Sequence, residues 1–309
     1  FTGAAVPPTS DCVVMQENTV EKNNVLFIEN IPLKKNENIR LTGTHIKKRK
    51  LALKKGAKLN PAAIGFLASL GITRVPVYKK PVVAIIVTGN ELKEVGTKLS
   101  QGQIFESNSF TLKAALNAMG ISPKSIFKVR DNKINLSDKI RTSLLCADII
   151  IISGGISVGK YDLVKECLEG NGVKEIFYKV AQKPGKPLFL GKAENKIIFA
   201  LPGNPAATLV CFYEYVYPAI RKMMGLKDCF LPVKNIKLLD KIITGGERAY
   251  FLKGKLQKDG VISLEGQESY IMKSFAEADS LIYLPVGRRS LLKEKDNLQN
   301  AEIVEVHLL

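Results

Sequence analysis

Three acidic residues stand where apolar runs end: Glu91 in VTGNEL, Asp131 in VRDN and Asp162 in SVGKYD. Carboxylates gathered at one sheet edge repel one another unless a cation or a proton is shared. Hard oxygen ligands of this kind suit Mg²⁺ bridging to a phosphate, although acids in loops are also commonly just solvated. Lys179, Lys183 and Lys186 in KVAQKPGKP form a second group. If Tyr178–Ala181 is a strand running on into QKPGKP, alternation sets Lys179 and Lys183 on one face, and Pro-Gly fixes the turn that carries Lys186. Ammonium groups held in this way bind phosphate or another oxyanion as point charges; the alternative is a solvated basic rim.

Two glycine-bearing turns complete the set. SGGISVG places Ser153, Gly154, Gly155, Ser157 and Gly159 directly after four consecutive isoleucines. A buried strand ending in glycines presents bare backbone N–H groups, a plausible anion cradle. LPGNP supplies Pro202, Gly203, Asn204 and Pro205, and Asn-Pro then opens a helix expected to run to Met224. A helix N-terminus favours a phosphate. Ser153 and Ser157 as nucleophiles would need a base, which neither His45 nor His307 can be placed to supply. The Gly-x-Ser-x-Gly elbow and the P-loop pattern are both absent, so acyl transfer is disfavoured.

The elements that must position these residues follow from periodicity. From Pro81 onward, continuous apolar strands (PVVAIIVTG, SIFKVRD, ADIIIISGG) alternate with helical spacing (SNSFTLKAALNAMG, Ile134–Leu145, Tyr161–Leu168). That pattern predicts an α/β domain whose mostly parallel sheet is covered by helices on both faces, with ligands at the carboxyl ends of the strands. KVAQKPGKPLFL and NKIIFALPGNP bracket a hairpin. Residues 1–78 read as mostly β (runs at Cys12–Met15 and Val25–Ile28), with one helix between Asn60-Pro61 and Gly71. Short strands after Gly225 predict a small β domain over 229–309.

Composition narrows the class. At 309 residues and 46% hydrophobic content the chain can form two or three domains. The excess of 46 Lys+Arg over 29 Asp+Glu, +17 net, suits an anionic partner, but much of it is lysine scattered among asparagines, which favours a solvated surface over a nucleic-acid face. Five dispersed cysteines without a Cys-x-x-Cys pair argue against a disulfide framework or zinc site and for a reducing cytoplasm. No run is long enough to span a bilayer. The opening at Phe1 carries no basic-then-apolar leader, and the chain is expected to be a trimmed one.

Taken together, VTGNEL…GQIFESN, VRDN, SGGISVGKYDLVK, KVAQKPGKPL and LPGNPAA resemble the molybdopterin molybdenumtransferase family, which includes the C-terminal enzymatic domain of gephyrin. Further likeness (TSDCVVMQENT, LTGTHI, LASLGI, GERAYFLKG, GQESYI) extends it over nearly the whole chain. The resemblance implies an elongated N-terminal part over 1–78, a molybdopterin-binding αβα domain over 79–228, a C-terminal β-barrel over 229–309, and a homodimer. It implies insertion of molybdate into adenylylated molybdopterin with Mg²⁺ assistance, releasing AMP and molybdenum cofactor. It also implies catalytic roles for Glu91, Asp131, Asp162, Lys179 and Lys183, with the three acids as metal ligands. Of the expected substrate contacts, the resemblance implies Pro202, Pro205, Arg248 and Ser269, and the turns read above add Ser153, Gly154, Gly155, Ser157, Gly159, Lys186, Gly203 and Asn204. Against the family pattern, Thr44 and His45 replace two acids, Asn90 and Asn132 each replace an Asp, and Glu268 replaces a glycine. Three readings follow: the transferase, expected to be incomplete as a catalyst in trimmed form; a weakened relative that binds molybdopterin or acts as a scaffold; and an enzyme like molybdopterin adenylyltransferase, which is also a candidate partner. The flanking regions weigh against the third.

Overall fold

The computed structural model describes residues 1–29, 32–156, 162–287, 290–291 and 302–309. The chain divides into two units, Phe1–Val75 and Pro76–Leu309. In the first, β1 (Thr19–Lys22) and β2 (Val25–Ile28) form a hairpin. Its turn residues Asn23 and Asn24 both have positive φ, as a type I′ hairpin turn requires. Helix α1 (Pro61–Ser69) begins where Asn-Pro predicts: the Asn60 side chain accepts from Ala63 N at 2.8 Å, and Gly71, at φ +73, lies just beyond its end. Cys12–Met15, expected as a strand, joins no ladder among the described residues. Val13 N donates to Glu37 O and Val13 O accepts from Asn38 Nδ2, so its backbone is satisfied by a turn instead.

The second unit runs through β3 (Val83–Thr88), β4 (Leu92–Lys93), β5 (Ile104–Phe105), α2 (Asn108–Ala118), β6 (Ser125–Val129), α3 (Lys133–Cys146), β7 (Ile149–Ser153), α4 (Leu163–Gly170), β8 (Lys174–Tyr178), β9 (Gln182–Lys183), β10 (Phe189–Ala193) and β11 (Lys196–Leu201). Strands order as β6-β3-β7-β11-β10-β8. The first four are mutually parallel, and β10 runs antiparallel to both its neighbours. Alternation divides the sheet into two cores. Val83, Ile85, Ile149 and Ile151 pack with Leu112 and Leu116 of α2, while Ala84, Ile86, Ile150 and Ile152 pack with Leu136 and Ile140 of α3 and Val164 of α4. Ile149–Ile152 are fully buried, each contributing about 1.5–3 kcal/mol of apolar burial.

The helix expected to run to Met224 is interrupted. Helix α5 (Pro205–Cys211) widens into a π-turn at Phe212–Val216 before α6 (Tyr217–Met223). Pro218 has no N–H for the Glu214 carbonyl and crowds it, which accounts for the widening just before it. Beyond it lie β12 (Val233–Lys237), β13 (Ile242–Ile243), β14 (Ala249–Gln257), β15 (Gly260–Ser263), α7 (Lys273–Glu277), β16 (Ser280–Leu284), β17 (Ser290–Leu291) and β18 (Ile303–Leu308). The order β12-β18-β16-β14-β15 is closed by a bridge from Leu238, just after β12, to Val261 of β15, giving a small barrel around Leu252, Ile282, Val304 and Val306.

Candidate functional site

Strands β3, β7 and β11 end side by side at Thr88, Ser153 and Leu201. The glycines after Ser153 are demanded by packing: a Cβ on Gly154, at φ +90, would overlap the Thr88 carbonyl oxygen, and one on Gly155 would sit 2.7 Å from Thr88 Cγ2 and Val164 Cγ2. Gly154 N donates to Leu201 O at 3.3 Å. Buried Ser153 donates from Oγ to Pro202 O (3.2 Å) and accepts from Asn108 Nδ2 (2.9 Å), which also donates to Gly203 O (2.7 Å). Thr208 Oγ1 donates to Pro202 O at 2.5 Å. The expected anion cradle is therefore corrected in part: the Gly154 amide and the Ser153 hydroxyl are occupied within the protein, leaving Gly155, Gly203 and Asn204 as exposed members. Ser157 and Gly159 lie outside the described residues.

The acids serve local geometry first. Asp131 Oδ1 accepts from Thr88 Oγ1 (2.7 Å) and Oδ2 from Asn90 N (3.3 Å), while Asp131 N donates to Asn90 Oδ1 (3.1 Å). The neutral amide of Asn90 spares Asp131 a facing carboxylate. Glu91 is exposed beside this pair. Asp162 caps α4, Oδ1 accepting from Lys165 N (3.0 Å) and Oδ2 from the Tyr178 hydroxyl (2.5 Å). Burial and that carboxylate push the Tyr178 pKa up. Asn132 likewise caps α3, accepting from Asn135 N.

The three acids expected to share a metal do not assemble: among the described residues no group of three or more His, Cys, Asp or Glu could hold an ion. Asp162 is drawn aside by its cap and by Tyr178. Mg²⁺ takes one or two carboxylates plus substrate oxygens, and exposed Glu91 and Asp131 fit that smaller requirement.

The lysine segment departs from expectation too. Strand β8 stops at Tyr178 because Lys179 turns to φ +67, with Lys179 N donating to Leu188 O and Val180 N to Lys186 O. Tyr178–Ala181 is thus no strand, and alternation does not align Lys179 with Lys183. The Lys179 ammonium lies over the Tyr178 ring, 4.7 Å from its centroid. Gln182–Lys183 instead leaves the central sheet to pair in parallel with Ala249–Tyr250 of the barrel, and Ala249 N donates to Ala181 O (2.9 Å). Lys183 therefore lies against Tyr250 (5.8 Å), two residues from Arg248, while Lys186 is exposed beyond Gly185.

The start of α5 is occupied by the barrel. Ser269 O accepts from Ala206 N (3.0 Å) and Ala207 N (3.2 Å), and Ser269 Oγ accepts from Asn204 Nδ2 (2.7 Å). The expectation that these amides are free for a phosphate is corrected, because a carbonyl already satisfies them. Pro205 holds the first helical position as expected. Thr88, Asn108, Tyr178 and Lys253, whose roles the sequence reading missed, all act through tertiary contacts. Only Lys253, a lysine inside the strand YFLKGKL, left a trace in the pattern.

The chain matches family models described as the probable molybdopterin binding domain (residues 84–222), the MoeA N-terminal region, domain I and II (1–71), and the MoeA C-terminal region, domain IV (235–309). It is 35% identical over 321 aligned positions to a molybdopterin molybdenumtransferase of Haemophilus influenzae, covering 100% of this chain and 77% of that one. It is 36% identical over 307 positions to one from a Nostoc species, covering 96% and 70%. The crystal structure of a molybdopterin biosynthesis moeA protein from Pyrococcus horikosii matches with a TM-score of 0.80 at 31% identity, covering 99% of this chain and 74% of that one. With three consecutive family regions in order and relatives this similar along most of their length, the chain belongs to the molybdopterin molybdenumtransferase family.

Proposed function

We propose that this chain carries out the transfer for which its relatives are named, inserting molybdate into adenylylated molybdopterin and releasing AMP and molybdenum cofactor. The observation that carries the reading is convergence at the carboxyl ends of the central strands: the barrel supplies Ser269 to Asn204 and Ala249–Tyr250 to Gln182–Lys183. Lys183, Lys186 and Arg248 attract and orient the molybdate dianion as fixed charges. The exposed turn residues Gly155, Gly203 and Asn204 border the phosphate-bearing substrate. Asp131, held by Thr88 and Asn90, and Glu91 would hold Mg²⁺, which when bound supplies charge neutralisation at the phosphoanhydride. Asp162 acts from the entry of α4, its orientation set by Tyr178.

We take the working form to be a homodimer in a reducing cytoplasm, supplied by a molybdopterin adenylyltransferase. Five unpaired cysteines and the exposed apolar strand Val25–Ile28 support the compartment and the self-association respectively. No helix among the described residues is long and apolar enough to cross a membrane.

The test incubates the protein with adenylylated molybdopterin and Mg²⁺, with and without molybdate, and follows AMP. Molybdate-dependent release is expected, slowed about a hundredfold in Lys183→Ala. Tight binding of the nucleotide-linked substrate with AMP release indifferent to molybdate would replace this reading with that of a binding protein.

A further inference from the structure

Lys253 is an anomaly in its own strand. It lies within β14 next to Phe251 and Leu252 and is only 3% exposed. A buried ammonium is costly unless every N–H is satisfied, and an apolar residue of similar volume would fill the place at less cost. Here all three N–H groups have acceptors, and all three are backbone carbonyls of one loop: Gly266 O at 2.5 Å, Ile271 O at 3.1 Å and Glu268 O at 3.3 Å. The same loop is tied to the Lys253 backbone as well. Lys253 N donates to Gln267 Oε1 (2.9 Å) and Gln267 Nε2 donates to Lys253 O (2.8 Å). Ser274 Oγ adds a bond to Gly266 O (2.7 Å).

The carbonyls of Gly266, Glu268 and Ile271 bracket Ser269, the residue that contacts Asn204 and the Ala206 and Ala207 amides. We propose that Lys253 is a positioning residue, its ammonium clamping residues 266–271 so that Ser269 is held against the LPGNP turn and the start of α5. This rests on the reading above in one respect: the clamp matters to turnover because Ser269 belongs to the transferase site. Burial lowers the Lys253 pKa, and the Glu268 carboxylate opposes that shift. Among the described residues no carboxylate pairs directly with the ammonium, so carbonyl geometry rather than ion pairing holds the loop.

Lys253→Met removes the three donors while keeping the bulk, and Lys253→Arg keeps donors. In Lys253→Met, hydrogen exchange at the Ala206 and Ala207 amides is expected to quicken at least about tenfold while β16 and β18 stay protected. The KM for molybdate should rise about tenfold or more, with a smaller fall in kcat. Lys253→Arg should restore part of both. Unchanged protection at Ala206 and Ala207 would overturn the clamp, as would exposed amides with normal kinetics in a protein whose Ser269→Ala variant is impaired. A Ser269→Ala variant with normal kinetics would instead remove Ser269 from the site, and the clamp would then stand or fall on the exchange result. Should Lys253→Met not fold, exchange in the wild-type protein decides: Ala206, Ala207 and 266–271 must open as one unit, and separate opening rejects the proposal.

Discussion

The tetrapeptide Asn-Pro-Ala-Ala occurs twice in this chain, at 60–63 and 204–207, and starts a helix both times. At the first, Asn60 caps its own helix through Oδ1 and the Ala63 amide. At the second, the equivalent amide of Ala207 goes to the carbonyl of Ser269, and the Asn204 side chain donates outward to Ser269 Oγ. Identical local chemistry thus yields a self-contained helix start in one place and a junction between two sheets in the other. A capping residue is a default that tertiary structure can replace; once replaced, its side chain becomes available for another contact.

The largest effect on this contrast should come from Gly154→Ala. Its Cβ would collide with the Thr88 carbonyl in a left-handed conformation, next to the turn that leads into the second helix. Loss of about 3 kcal/mol or more is expected in urea unfolding, with Asn204 and Ser269 parted. The paired substitutions are milder and more instructive. Asn60→Ala should weaken α1 by about 1 kcal/mol, read as faster amide exchange along 61–69. Asn204→Ala should leave the exchange of α5 nearly unchanged, because the cap is a carbonyl from elsewhere, yet should slow molybdate-dependent AMP release about tenfold. Equal loss of protection in both helices would erase the distinction between the two helix starts.

The smallest expected effect concerns a second contact between the 205–223 helical run and the barrel, one that titrates. Both ring nitrogens of His307 face carboxylates, Nδ1 at 2.9 Å from Glu214 and Nε2 at 3.0 Å from Glu305, with Tyr283 stacked on the ring and Phe251 at its edge. Burial alone would lower its pKa, but the hydrogen bonds and charges of Glu214 and Glu305 outweigh it and raise the pKa above the ordinary histidine value. A raised folded-state pKa means the contribution is full below about 6.5, the unfolded value, and is lost as pH rises through the folded value. His307→Gln should flatten that part of the stability–pH curve, and an unaltered curve would exclude the imidazolium as its source.

What the sequence disclosed follows the range over which each feature is determined. Asn60-Pro61 with Gly71, and the isoleucine run 149–152, are set by neighbours within a few residues, and the structure agrees with them closely. The strand expected at Tyr178–Ala181 failed because Lys179 is turned by bonds to Leu188 and Val180 by bonds to Lys186, partners on the far side of a turn. The glycines after Ser153 stand out in the sequence, but their cause is the Thr88 carbonyl on a different strand, which no local pattern reveals. Asp162 could have been recognised as a helix cap from its place before Leu163–Gly170, whereas Asn108 looks like any helix-opening polar residue until its amide is seen joining Ser153 to Gly203.

The two-residue ladder between β9 and β14 makes Gln182–Lys183 a member of the barrel's sheet, although the chain around it serves the central one. Side chains on a strand alternate with a period of two, so a length change ahead of Gln182 that slips this pairing by one residue would turn the Lys183 ammonium through to the opposite side. Such a slip would also bring Lys183 to the place of buried Gln182, whose amide meets the Pro184 carbonyl and the Cys211 thiol, which makes this two-residue strand intolerant of insertions ahead of it.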